Sequence, residues 1–231
     1  MKKYMMMMMM CCLPLMGMAQ VAKYCMTYAD CVANKWTPVE KLTEGRTLQV
    51  CQLKVEDNEF KFKTGDKQAD AVLKKDVFAV MYGNNLYINC RTLREDDVPL
   101  DISGYAQAYR YAGKKLCVAV YHGDDGAFLL GLGADVASLF VPTPASIGLR
   151  ASSTALWLSK DKLSTFRCFL IENNANAKGR YPVTRMNDEL MEKALAGSPL
   201  LKSYQAVSKK KERQSAANIL PILTEKGLLK G

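Results

Sequence analysis

The sequence predicts an α+β fold: an antiparallel sheet built from hairpins, with one inserted helix, a Gly-rich helical segment and a C-terminal helical pair packed on or beside the sheet. Three observations lead there. "VFAVMYGNNLYINCRTL" and "GYAQAYRYAGKKLCVAVYHGDDG" each set two runs rich in β-branched and aromatic residues around Gly, Asn or Ala-Gly-Lys turns. Strand alternation is interrupted at "TGDKQADAVLKKD", where Ala69, Val72 and Leu73 fall at helical spacing. The C-terminal fifth carries helix caps and helical periodicity.

The chain begins with a targeting segment. Residues 1–19 read as a secretory signal peptide: Lys2 and Lys3 give a positive start, Met5 to Met16 an apolar run, and Gly17-Met18-Ala19 a small-residue cleavage site before Gln20. The apolar run is shorter than the roughly 20 residues that span a bilayer, so no transmembrane span is expected in the mature chain. Residues 20–186 form the α+β domain, and 187–231 the C-terminal helical segment.

Val21 to Ala33 suits a short helix. In "WTPVEKLTEG", Thr37 caps a turn with Pro38 at its first position and Glu40 completing the box. "RTLQVCQLKV" and "EFKFK" are strands joined at "EDN". The amphipathic helix and the two hairpins come next. Tyr105, Tyr109 and Tyr111 share one parity and make one strand face aromatic.

"GAFLLGLGADVASLFVP", Gly126 to Pro142, reads as a helix with Phe128, Leu129, Leu132, Val136 and Leu139 on one broad face. It packs internally or lies against a membrane or partner. Asp135, at a cost of about 2.5–3.5 kcal/mol at a bilayer centre, excludes a span. Val136 at the third position of "GLGADV" excludes a dinucleotide loop. "TALWLSK" and "STFRCFLIEN" are strands, "NNANAKG" a loop, and "RYPVTR" an edge strand because Pro182 cannot donate to a ladder. "NDELMEKALAG" is a helix capped by Asn187 and stopped at Gly197, and a second helix restarts at Ser198-Pro199. Ser208 to Ser215 is polar on every side and stands in water, and Pro221 kinks the helix or begins a new turn.

Charge narrows the partners. The formal net charge is +9, and from Leu201 onward seven Lys or Arg face two acids. Within that stretch Lys209, Lys210, Lys211 and Arg213 form the candidate contact surface. On an exported chain it points to an envelope component, such as anionic lipid or lipopolysaccharide, or to an acidic protein, and not to nucleic acid. The bland reading of the same run is a solvated helix face.

Past the signal, six cysteines remain, with no CxxC and no dense cluster. Cys25 and Cys31, close in sequence, are the candidate disulfide; Cys90 and Cys117 sit in strand-like runs as small buried hydrophobes. The sequence implies no cofactor, and no GxSxG or HExxH occurs. The single histidine, His122, stands with Asp124 and Asp125 in "YHGDDG". That trio is first a hairpin turn, and in the alternative reading a metal or acid/base site of an exported hydrolase.

From "KFKTGDKQADAVLKKDVFAVMYGNNLYINCRTL" through "GYAQAYRYAGKKLCVA" to "VTRMNDELMEKALAGSPLLKSY", the chain resembles a family of uncharacterised exported proteins of Bacteroidota-type gut bacteria. The resemblance implies export and carries over no activity, ligand or catalytic residue. Together these readings lead to the expectation of a periplasmic or surface-associated binding protein, not an enzyme.

Overall fold

The computed structural model describes residues 22–43, 51–56, 59–96, 98–100, 102–112, 115–121 and 163–230. The predicted signal peptide, the "YHGDDG" residues after Tyr121, the Gly-rich segment and "TALWLSK" lie outside them. Among the described residues the strands are β1 (Ala22–Cys25), β2 (Thr37–Pro38), β3 (Gln52–Glu56), β4 (Glu59–Lys63), β5 (Ala79–Tyr82), β6 (Asn85–Asn89), β7 (Leu93–Glu95), β8 (Val98–Pro99), β9 (Tyr105–Tyr111), β10 (Lys115–Tyr121), β11 (Phe166–Ile171), β12 (Tyr181–Arg185) and β13 (Leu229–Lys230). The α-helices are α1 (Tyr28–Val32), α2 (Lys67–Lys75), α3 (Asp188–Leu195), α4 (Leu200–Gln205), α5 (Lys210–Arg213) and α6 (Ala216–Glu225). The fold is α+β, as predicted.

The sheet runs β2-β1-β5-β6-β9-β10-β11-β12-β7-β8, antiparallel throughout except where β12 meets β7. β9 is its hinge strand. One edge pairs with β6 over Tyr105–Ala108 and then with β13 at Arg110 and Tyr111; the other pairs with β10 and, at Tyr105, with Phe60 of β4. Both predicted hairpins are present. Gly83 at φ 59° and Ala112 at φ 44° supply the left-handed backbone that tight turns between twisted strands require.

Alternation sorts the side chains into three clusters. Ala106 and Ala108 of β9, with Leu116, Val118, Phe169 and Ile171, face α1 through Tyr28 and Cys31. On the opposite face Tyr105 packs with Phe60, Phe62, Tyr87 and Leu73 under α2. Further along that face, Tyr109, Cys117 and Cys168 meet Met191, Leu195, Tyr204 and Leu223 of the C-terminal helices. Tyr105, Tyr109 and Tyr111 thus mark one face covered by two different helical groups.

α2 lies within the stretch predicted to be helical. The Asp66 carboxylate accepts from the backbone N–H groups of Gln68 and Ala69, both at 2.9 Å.

Several expectations need correction. Val21 to Ala33 is not one helix: β1 pairs with β5, and Thr27 then caps the five-residue α1. Thr37 and Pro38 pair with β1, and the turn after them, Val39–Thr43, is a 3-10 helix. β12 is not an edge strand, since β11 flanks it on one side and β7 on the other. Pro182 sits at the end of the pairing with β11, where its carbonyl accepts from Glu172 N at 2.9 Å. The C-terminal pair is four helices followed by a strand. Ser208 to Ser215 breaks the helix instead of extending it, because Arg213 and Ser215 are drawn inward.

Candidate interaction surface

The basic run folds around Arg213. Its Nη2 lies 2.8 Å from Asp188 Oδ2 and its Nε 3.0 Å from Oδ1, a two-point grip between α5 and the start of α3. Nη1 donates to Val207 O at 2.9 Å, which holds the non-helical bend before α5. Tyr204 donates its hydroxyl to Asp188 Oδ1 at 2.7 Å, and the Arg213 Cζ sits 5.9 Å from the centre of the Tyr204 ring. The Arg213 guanidinium, aided by the Tyr204 hydroxyl, holds the Asp188 carboxyl well below the usual carboxylate range. Burial pushes the Tyr204 phenol up, and the Asp188 charge adds to the shift.

Behind the clamp, Asn218 Nδ2 donates to Arg213 O at 3.0 Å and Ser215 Oγ to Glu212 O at 2.6 Å. Ser215 is buried and bridges Arg167 of β11. A helix of four residues has no stability of its own. These contacts give α5 its fixed place.

Arg213 is therefore not part of the open contact surface that its sequence position suggested. Lys209, Lys210 and Lys211 remain exposed. Lys209 Nζ meets Glu212 Oε1 at 2.9 Å, with side-chain exposures of 76% and 57%. An exposed pair of this kind contributes about 0–1 kcal/mol, so a competing anion can displace it. The surface that survives is three consecutive lysines on a braced turn.

Of the other predicted residues, Cys25 and Cys31 are both buried thiols and share the cluster beneath α1. His122, Asp124 and Asp125 lie outside the described residues. Among the described residues, no group of three His, Cys, Asp or Glu side chains is placed to hold a metal ion, and no helix is long and apolar enough to cross a membrane.

A cavity of about 780 Å³ was not foreseen. It is half open and lined by residues of α1, β10, β11, β12 and α3, among them Tyr28, Val32, Leu170 and Leu190 with Glu172 and Thr184. Thr184 Oγ1 already donates to Glu172 Oε1 at 2.9 Å. The clamp was not foreseen either. Asp188 reads in the sequence as an ordinary first-turn acid, and nothing local ties it to an arginine 25 residues on.

A search of curated proteins and one of solved structures return no match. One family model, described as "Family of unknown function (DUF6563)", matches residues 23–227, nearly the whole described fold, and the chain belongs to that family.

Proposed function

We propose that the protein is exported and acts as a non-enzymatic binding protein of the cell envelope, engaging a phosphate-bearing anionic surface through Lys209, Lys210 and Lys211. The observation that carries this reading is the braced lysine turn. Lys209 caps, and Lys210 and Lys211 begin, a helix too short to stand alone, and the nearby Arg213 is held in an internal clamp that fixes this turn. Export is supported by the three-part pattern of residues 1–19.

Each lysine near an anionic surface contributes about 1 kcal/mol. Three together strengthen binding by about two decades. The attraction weakens as added salt shortens the Debye length, about 8 Å at physiological ionic strength. Co-sedimentation with vesicles containing anionic lipid or lipopolysaccharide tests this. The triple variant Lys209→Gln, Lys210→Gln, Lys211→Gln keeps helix propensity and leaves Arg213 on Asp188. It should lose binding at low salt, and equal sedimentation of the two proteins would reduce the lysines to a solvated helix face.

A further inference from the structure

Four of the six described cysteines occur as contacting pairs. Cys25 closes β1 and Cys31 lies in α1, and the two thiols are neighbours inside one apolar cluster. Cys117 of β10 and Cys168 of β11 are neighbours in the second cluster. The register Cys117↔Leu170 and Ala119↔Cys168 sets them diagonally across the ladder, on the same face and about 7–8 Å apart at Cα, so a bridge draws β10 and β11 together locally. All four are at most 3% exposed. The other two thiols are placed differently. Cys90 Sγ contacts Ile88 O at 3.9 Å, and Cys51 lies in the third cluster with Asp70 and Glu40 as its charged neighbours.

We infer that Cys25–Cys31 and Cys117–Cys168 are two disulfide-forming pairs, with Cys51 and Cys90 left as thiols. In the cell their closure rests on the proposed export, because disulfides persist in oxidising compartments. The pairing itself does not depend on that reading.

The chemistry is thiol–disulfide exchange with a small disulfide such as glutathione disulfide, or with the disulfide of an exported oxidoreductase. One cysteine thiolate attacks the oxidant, forming a mixed disulfide and releasing one thiol. The partner thiolate then displaces the second. Two cysteine thiols and one disulfide become one protein disulfide and two thiols, so electrons and protons balance. Attack needs a thiolate. In the folded chain the neighbouring thiol and burial both push Cys25 and Cys168 up, away from ionisation. Closure therefore belongs to the folding chain, before the clusters exclude the oxidant. The first bridge would staple α1 to β1, and the second would cross-link β10 to β11 at the floor of the C-terminal helices.

Two measurements test the pairing. Protein purified from its native envelope is alkylated without prior reduction, digested and mapped by mass spectrometry. The same protein, reduced and unfolded, is refolded in glutathione and glutathione disulfide and mapped again. The expected map in both shows two bridges, Cys25–Cys31 and Cys117–Cys168, with Cys51 and Cys90 alkylated. Reducing the bridged protein should lower its unfolding midpoint by about 10 °C or more. Bridges after refolding but thiols in the native preparation would uphold the pairing and count against export. Alkylation of either pair after refolding, or bridges involving Cys51 or Cys90, overturns the inference for that pair.

Discussion

Asn89 is fully buried where β6 gives way to the 3-10 turn Cys90–Thr92, and its side chain ties three parts of the chain together. Nδ2 donates to Val77 O at 2.9 Å and to Lys74 O at 3.2 Å, while Oδ1 accepts from Arg91 N at 3.2 Å. The end of α2, the approach to β5 and the exit from β6 all converge on this amide. Asn89→Ala removes all three bonds. The Val77 bond is wholly buried, and orphaning its carbonyl costs about 1–3 kcal/mol. Losing the cap on Arg91 costs about 1 kcal/mol more. The sum is about 2–4 kcal/mol, or about 5–15 °C in unfolding midpoint for a chain of this size. Urea titration should show a lower midpoint at unchanged slope, which reports stability and not compactness. Asn89→Asp should be at least as damaging, since it turns a carboxylate toward two carbonyls. A loss below about 0.5 kcal/mol for Asn89→Ala would place it among ordinary surface changes and refute the reasoning.

Other expectations are as direct. A Cβ at Gly104 would lie 2.7 Å from Glu59 Cβ and 2.9 Å from Phe60 O, so Gly104→Ala should cost about 1–3 kcal/mol in the same titration. The Asp188 carboxyl is depressed in the folded state, so its contribution is fully present above the usual carboxyl range and is lost as pH falls through the folded value. Asp188→Asn should therefore destabilise the wild type modestly at neutral pH and flatten the acid limb of its stability profile; thermal melts of both proteins across the acid range will show whether the limb changes. Arg213→Gln should release α5, seen as faster amide hydrogen exchange from Val207 to Gln214, with β9 to β11 unaffected.

The strands that form by local pairing were legible in the sequence. β5–β6 and β9–β10 are runs rich in β-branched and aromatic residues on both sides of short turn-compatible segments, so neighbours in sequence supply the whole signal. α2 was legible for the same reason, with its cap and stripe inside one short window. The features that the sequence hid depend on distant partners. β1 is a strand because β5 lies beside it, and β12 is internal because β7 arrives from nearly 90 residues earlier. Cys117, in its strand-like run, reads locally as a small hydrophobe. Only the register of β10 on β11 places Cys117 near Cys168. At the candidate surface, charge exposed the lysines but not the division of labour among the four cations, since the pairing of Arg213 with Asp188 spans 25 residues.

The most direct test of envelope attachment is quantitative fractionation of cells expressing the wild type or the triple Lys209→Gln, Lys210→Gln, Lys211→Gln variant, with envelopes washed at low and then high salt. The wild type should pellet with the envelope at low salt and leave it in the high-salt wash, while the variant should appear among the exported soluble proteins at either salt. Equal retention of both proteins on the envelope, or recovery of the wild type from the cytoplasm, would contradict the account.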